Sequence, residues 1–114
     1  MKNVIKTTVI LASLVFASCT NQSSENQKTV NFKVYGNCGM CEKTIEKSLK
    51  IDEVSKGDWN KETKMIEVKF DSTKITTQEI KEKIAGVGYD MDDVRAEESV
   101  YNSLHSCCQY QRPE

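Results

Sequence analysis

The chain has 114 residues, with 16 basic and 17 acidic side chains and a formal charge of −1. That is room for one small domain with a modest core, and the absence of a basic stripe argues against nucleic acid as a partner. One His and one Pro exclude His-rich storage or catalytic designs, whereas five Cys are many for this length, and their placement says more than their number.

Residues 1–18 read as an export signal and not as part of a fold. Lys2 and Lys6 form a positive start, and the apolar run from Val9 to Ala17 is too short for a stable membrane span. Ala17 and Ser18 then precede Cys19. Small residues before a Cys at this point resemble a bacterial lipoprotein signal, although Phe16 stands where Leu is usual. The resemblance implies cleavage before Cys19, lipidation of that residue, and a protein anchored in a bacterial cell envelope at the outer membrane or the periplasmic face. Ordinary secretion, with Cys19 a spare thiol, is the alternative. Thr20 lacks the Asp retention signal, which favours the outer membrane. Losing Lys2 and Lys6 leaves 14 basic against 17 acidic side chains, a charge of −3.

Residues 19–28 are polar and without period, a flexible tether. Val30, Phe32 and Val34 alternate with polar residues, which predicts a half-buried strand ended by Gly36. Cys41, Ile45 and Leu49 then fall on one helical face. Val54 to Trp59 is a weak strand and 60–63 a polar turn. Ile66, Val68 and Phe70 mark a strong strand with those side chains inward. Thr76 and Glu79 form a capping box that opens a second helix, with Ile75 and Ile80 as its staple and Ile80 and Ile84 as its buried face. A glycine in 86–89 provides the left-handed cap. Met91 to Ala96 can form a last short strand. The order strand, helix, strand, strand, helix, strand predicts an α+β, ferredoxin-like βαββαβ sandwich over 29–96: an antiparallel sheet with two helices on one face.

The chemistry concentrates at Gly36-Asn37-Cys38-Gly39-Met40-Cys41, between the first strand and the first helix. Both thiols project from one short loop, and the helix N-terminus favours the thiolate. Thiolates are soft ligands that select Cu(I), Zn(II) and similar ions over Mg or Ca. Two thiolates hold Cu(I) in an open site, whereas Zn wants four ligands. The rival reading is a thiol–disulfide redox couple, but the only Pro is Pro113, Asn37 replaces the Trp usual before such a motif, and the element order differs. A Zn-binding module in which the metal is structural is a further alternative, and a disulfide or inert thiols are the plain ones.

With Cys38-Gly39-Met40-Cys41 after strand one, this element order, and Gly88-Tyr89 after the second helix, residues 29–96 resemble the heavy-metal-associated domain. That family includes copper chaperones, the N-terminal modules of copper-transporting ATPases and periplasmic mercury-binding proteins. The resemblance implies a carrier and not an enzyme, for Cu(I) or alternatively Zn(II) or Hg(II). It also implies a metal-transporting ATPase or an efflux system as partner, and a place for Tyr89 beside the metal loop. One departure is that the family usually reads Gly-Met-x-Cys-x-x-Cys. Here the loop is one residue shorter, and Met40 sits inside the motif. Its thioether could reach the site or point away.

The tail, 97–114, lies outside the family pattern. Val100 and Leu104 predict a short helix. His105, Cys107 and Cys108 place three soft or borderline ligands within four residues. If a fourth strand runs opposite to the first, it leaves the metal loop behind. The tail must then double back about 20 Å, the length of six strand residues. Residues 97–107 span only ~15 Å as helix but ~33 Å extended, so a helix plus an extended piece reaches. The expectation is a folded-back tail that adds Cys107, Cys108 and His105 to Cys38 and Cys41. A separate tail site and a tail without ligand role are the alternatives.

Overall fold

The computed structural model describes residues 26–114; the expected export signal, Cys19 and most of the expected tether lie outside the described residues. Three strands, β1 (Gln27–Lys33), β2 (Val54–Trp59) and β3 (Met65–Asp71), form one antiparallel sheet in the order β1-β3-β2. The central strand carries the expected alternation, with Ile66, Val68 and Phe70 buried. Val30 and Gly57 flank Val68, and Phe32 and Trp59 flank Ile66. A slip of one residue would turn that apolar row outward, so burial fixes the register.

Helices α1 (Gly39–Ser48) and α2 (Thr77–Gly86) cover one face of the sheet. Cys41, Ile45 and Leu49 come from α1 and its end, and Ile80, Ile84 and Ala85 from α2; all are buried. Each large aliphatic side chain removed from water contributes about 1.5–3 kcal/mol. The capping box forms as expected: Glu79 N–H donates to Thr76 Oγ1 at 3.1 Å, and Thr76 N–H to Glu79 Oε2 at 2.9 Å. The left-handed cap falls on Gly88, at φ +105°, which leaves Gly86 inside the helix. A Cβ on Gly88 would also meet Leu104 at 3.1 Å, so the tail packs directly on the end of α2.

The strand expected at Met91 to Ala96 does not pair. Met91 N–H donates to Val94 O at 2.8 Å, closing a local turn, and the joint to the sheet's β1 side is Tyr35 N–H to Asp90 O at 2.9 Å. The segment curls because the Asp90 carboxylate draws it inward: Ala96 N–H donates to Asp90 Oδ1 at 2.7 Å. As a result β1 is an edge, and Val30 and Phe32 are only half-buried. Lys81 lies over the Phe32 ring, 5.1 Å from its centre. The curl also means that the chain never leaves the metal loop's end of the sheet. The tail, with a five-residue helix α3 (Glu98–Asn102) and a 3-10 turn (Ser106–Cys108), therefore has no long return journey to make.

Candidate metal centre

The loop rests on an indole floor. Trp59 is buried, and its Nε1–H donates to Val34 O at 3.1 Å and Lys64 O at 3.2 Å. A Cβ on Gly36 would lie 3.0 Å from the Trp59 ring and 3.3 Å from Cys41 Cβ, so only glycine lets the backbone pass this close. Cys38 follows as the N-cap of α1, with extended backbone at φ −146° and ψ 174°. Cys41 sits three residues on, over the same face of the first turn. Their sulfurs are 3.5 Å apart, and Cys41 Sγ–H donates to Asn37 Oδ1 at 3.2 Å.

A third sulfur arrives from the other end of the chain. Cys108 Sγ lies 3.7 Å from Cys38 Sγ, and the sulfurs of Cys38, Cys41 and Cys108 are all within 4.8 Å of one another. All three cysteines are free thiols, with Cys41 and Cys108 buried. Of the tail residues expected here, Cys108 alone joins this cluster. Neighbouring residues of a 3-10 turn point about 120° apart, so when Cys108 faces inward Cys107 faces out. Cys107 Sγ is exposed, 3.8 Å from Cys108 Sγ and 3.5 Å from Met40 Sδ. His105 is exposed and outside the cluster. Its contribution is its carbonyl, which accepts Cys108 N–H at 2.8 Å and opens the turn.

The tail is pinned by a buried polar network. Asp90 is fully buried, and Arg112 reaches it with two bonds, Nε to Oδ2 at 2.7 Å and an Nη to Oδ1 at 2.8 Å. Tyr110 OH accepts from Asp90 N–H and donates to Gly88 O, both at 2.8 Å. The Tyr110 ring stacks on Tyr89 at 5.6 Å and meets the edge of Tyr101 at 5.2 Å. The Tyr101 hydroxyl donates to the Tyr110 carbonyl. Burial alone would raise the Asp90 carboxyl, but Arg112, the Ala96 N–H and Tyr110 together hold it below the usual range.

The sulfurs differ in charge. Burial pushes the Cys38 thiol up, but the N–H dipole of Cys41, the thiols of Cys41 and Cys108, and the Met40 N–H outweigh it and bring it down to about 7. No one contact does this: two N–H groups of the first helical turn and two neighbouring thiols act together. Burial, with Cys41 and Cys38 beside it, pushes Cys108 up to about 12. Cys38 thus forms its thiolate near neutral pH, where Cys108 keeps its proton. Tyr89 is buried, and its hydroxyl is the buried side-chain polar atom left without a partner among the described residues. Burial and the neighbouring Cys41 and Cys108 raise it well above the usual tyrosine range, so it stays a donor facing the sulfurs.

A family model for the heavy-metal-associated domain matches residues 37–90. The copper chaperone CopZ of Staphylococcus aureus is 34% identical over 55 residues, 47% of this chain and 81% of that protein. The chain belongs to the heavy-metal-associated domain family. Oxidized MerP from Ralstonia metallidurans CH34 is similar in structure (TM-score 0.53, 32% identity, 59% of this chain and 99% of that one). So is the water-soluble region of the P-type ATPase CopA from Bacillus subtilis (TM-score 0.54, 34% identity, 57% of this chain and 44% of that one). Like these relatives, this heavy-metal-associated domain has the ferredoxin-like fold and a metal-binding, non-enzymatic character.

The match ends at residue 90, so the third sulfur, Tyr110 and Arg112 lie beyond the shared domain, while the Gly88 and Asp90 they grip lie inside it. The donor set fits a soft cation. With metal–sulfur bonds of about 2.3 Å, sulfurs stand about 3.8 Å apart around a tetrahedral ion and about 4.0 Å around a trigonal one. The spacings of 3.5 and 3.7 Å from Cys38 are close to these, and the third, between Cys41 and Cys108, is no more than 4.8 Å. Tyr89 neighbours Cys41 and Cys108. Sequence reasoning missed Asp90, Arg112 and Tyr110 as the frame of the site, and placed Trp59 only at the end of a weak strand. A buried aspartate two residues past the cap glycine was the available signal; nothing in the sequence paired it with Arg112.

Proposed function

We propose that this heavy-metal-associated domain is an exported carrier of Cu(I), held by Cys38, Cys41 and Cys108. The observation that carries the reading is the convergence of three free sulfurs from opposite ends of the chain. Three thiolates complete a trigonal Cu(I) site, while Zn(II) would still lack a fourth ligand. The copper-related names of CopZ and CopA support the choice of metal. A third ligand strengthens the hold, so the protein sequesters copper or delivers it to a partner able to displace Cys108. A metal-transporting ATPase with soluble domains like those of CopA fits that role. Export rests on residues 1–18, with Cys19 as the lipid anchor in the bacterial envelope, at the outer membrane or the periplasmic face.

The test is an anaerobic Cu(I) titration of the reduced full chain against a competing chelator, with Cys19→Ser in every arm. Cys108→Ser should lose affinity by more than about tenfold, ~1.4 kcal/mol, and Cys38→Ser by more still. Unchanged affinity in Cys108→Ser would return the site to the two-cysteine loop. No binding by the parent chain would defeat the copper reading.

A further inference from the structure

The three inner sulfurs are part of a longer row. In order of contact run Met40 Sδ, Cys107 Sγ, Cys108 Sγ, Cys38 Sγ and Cys41 Sγ, with successive separations of 3.5, 3.8, 3.7 and 3.5 Å. The inner site uses the last three. Met40 and Cys107, 67 positions apart in sequence, meet at the surface, with Met40 45% exposed. Neither side chain joins the buried core, so their pairing is not a by-product of packing. Together with Cys38 they line an open groove beside the first turns of α1.

We propose that Cys107 and Met40 form a second soft-ion site, which takes a Cu(I) ion in addition to the inner one, with Cys108 Sγ as the shared, bridging thiolate. The proposal rests on the inner site being a Cu(I) thiolate centre. Binding is coordination alone: Cys107 gives its proton to solvent as the copper–sulfur bond forms, and the Met40 thioether donates a neutral lone pair. Thiolate and thioether are both soft, and a thioether in the set favours Cu(I) over Zn(II), which is served by thiolate, imidazole and carboxylate. The outer pair therefore selects copper more sharply than the inner three. It also puts an arriving ion one sulfur away from the inner site, on the side where a partner or chelator can reach it.

The experiment is native mass spectrometry of the reduced full chain carrying Cys19→Ser, titrated anaerobically with Cu(I) and separately with Zn(II). The expected result is two Cu(I) per monomer and one Zn(II). Cys107→Ser should hold one Cu(I) with the first ion's affinity unchanged. Met40→Leu should keep the second ion about tenfold more weakly, ~1.4 kcal/mol. Both side chains are exposed, so neither change threatens the fold. A single Cu(I) on the parent chain, or two on Cys107→Ser, overturns the outer site and leaves the inner one standing. A weaker first ion in Cys107→Ser also overturns it, because Cys107 would then belong to the inner set. No Cu(I) on any chain defeats the inner site and this proposal together.

Discussion

Residues 36–41 deliver two sulfurs from the start of one helix, over a floor that lies inside the shared domain, whereas residues 106–110 deliver one from outside that domain, through bonds from Tyr110 and Arg112 back to Gly88 and Asp90. In the loop, a glycine over an indole and the start of a helix set both cysteines, and the shared family domain supplies the floor. In the tail, a 3-10 turn aims Cys108, but the turn is three residues long and has little stability of its own. It holds its place because Tyr110 and Arg112 grip Gly88 and Asp90. A loop of the first kind keeps its shape whatever the tail does. A strap of the second kind can come away without unfolding the sheet, which is what a displaceable third ligand requires.

The sharpest way to break this asymmetry is Arg112→Ala. It leaves the Asp90 carboxylate buried with one N–H for company. Removing one partner of a buried pair costs about 3–5 kcal/mol, most of which is expected to fall on the tail. Thermal unfolding should shift down, and Cys108 should gain far more in alkylation rate than Cys41 or than Cys38, which loses only the neighbouring Cys108 thiol. Equal exposure of all three would show that loop and tail are one unit.

A smaller effect sharpens the contrast in charge. Cys38, lowered to about 7, gains its thiolate as pH rises through that value, and Cys108, raised to about 12, does not ionise until far higher. An unfolded thiol titrates near about 8.5. Stability linked to Cys38 is therefore present above that value and lost as pH falls through about 7. Stability linked to Cys108 is full below the unfolded value and declines above it. In pH-resolved alkylation read by peptide mass spectrometry, Cys38 should reach half its maximal rate near pH 7, with Cys108 inert there. Matching profiles would contradict the assignment.

The smallest change is Tyr89→Phe. It removes a buried hydroxyl that lacks a partner among the described residues, and an unsatisfied buried group costs about 1–3 kcal/mol. The metal-free variant should be as stable as the parent or more so, yet bind Cu(I) several-fold less tightly, because a donor to the thiolates is gone. A loss of metal-free stability would show that the hydroxyl already has a partner.

Much of the loop's side of this comparison was legible in the sequence. The alternation at Ile66, Val68 and Phe70, the Thr76–Glu79 box, and Cys38 with Cys41 ahead of Ile45 are local patterns, and local patterns survive folding. The tail's side was legible only in part. Val100 and Leu104 announced a short helix, and Cys108 was named as a ligand, but the argument for reach assumed a fourth strand. That strand fails because Asp90 binds Ala96 and Arg112, a choice that the residues from Met91 to Ala96 do not reveal. Nor could spacing tell Cys107 from Cys108, since only the 3-10 turn decides which thiol faces inward.

X-ray absorption at the copper edge tests the central claim most directly, on the reduced full chain with Cys19→Ser and no more than one equivalent of Cu(I). The account predicts three sulfurs around copper in the parent and two in Cys108→Ser. Two sulfurs in both would mean that the tail stands beside the metal without holding it.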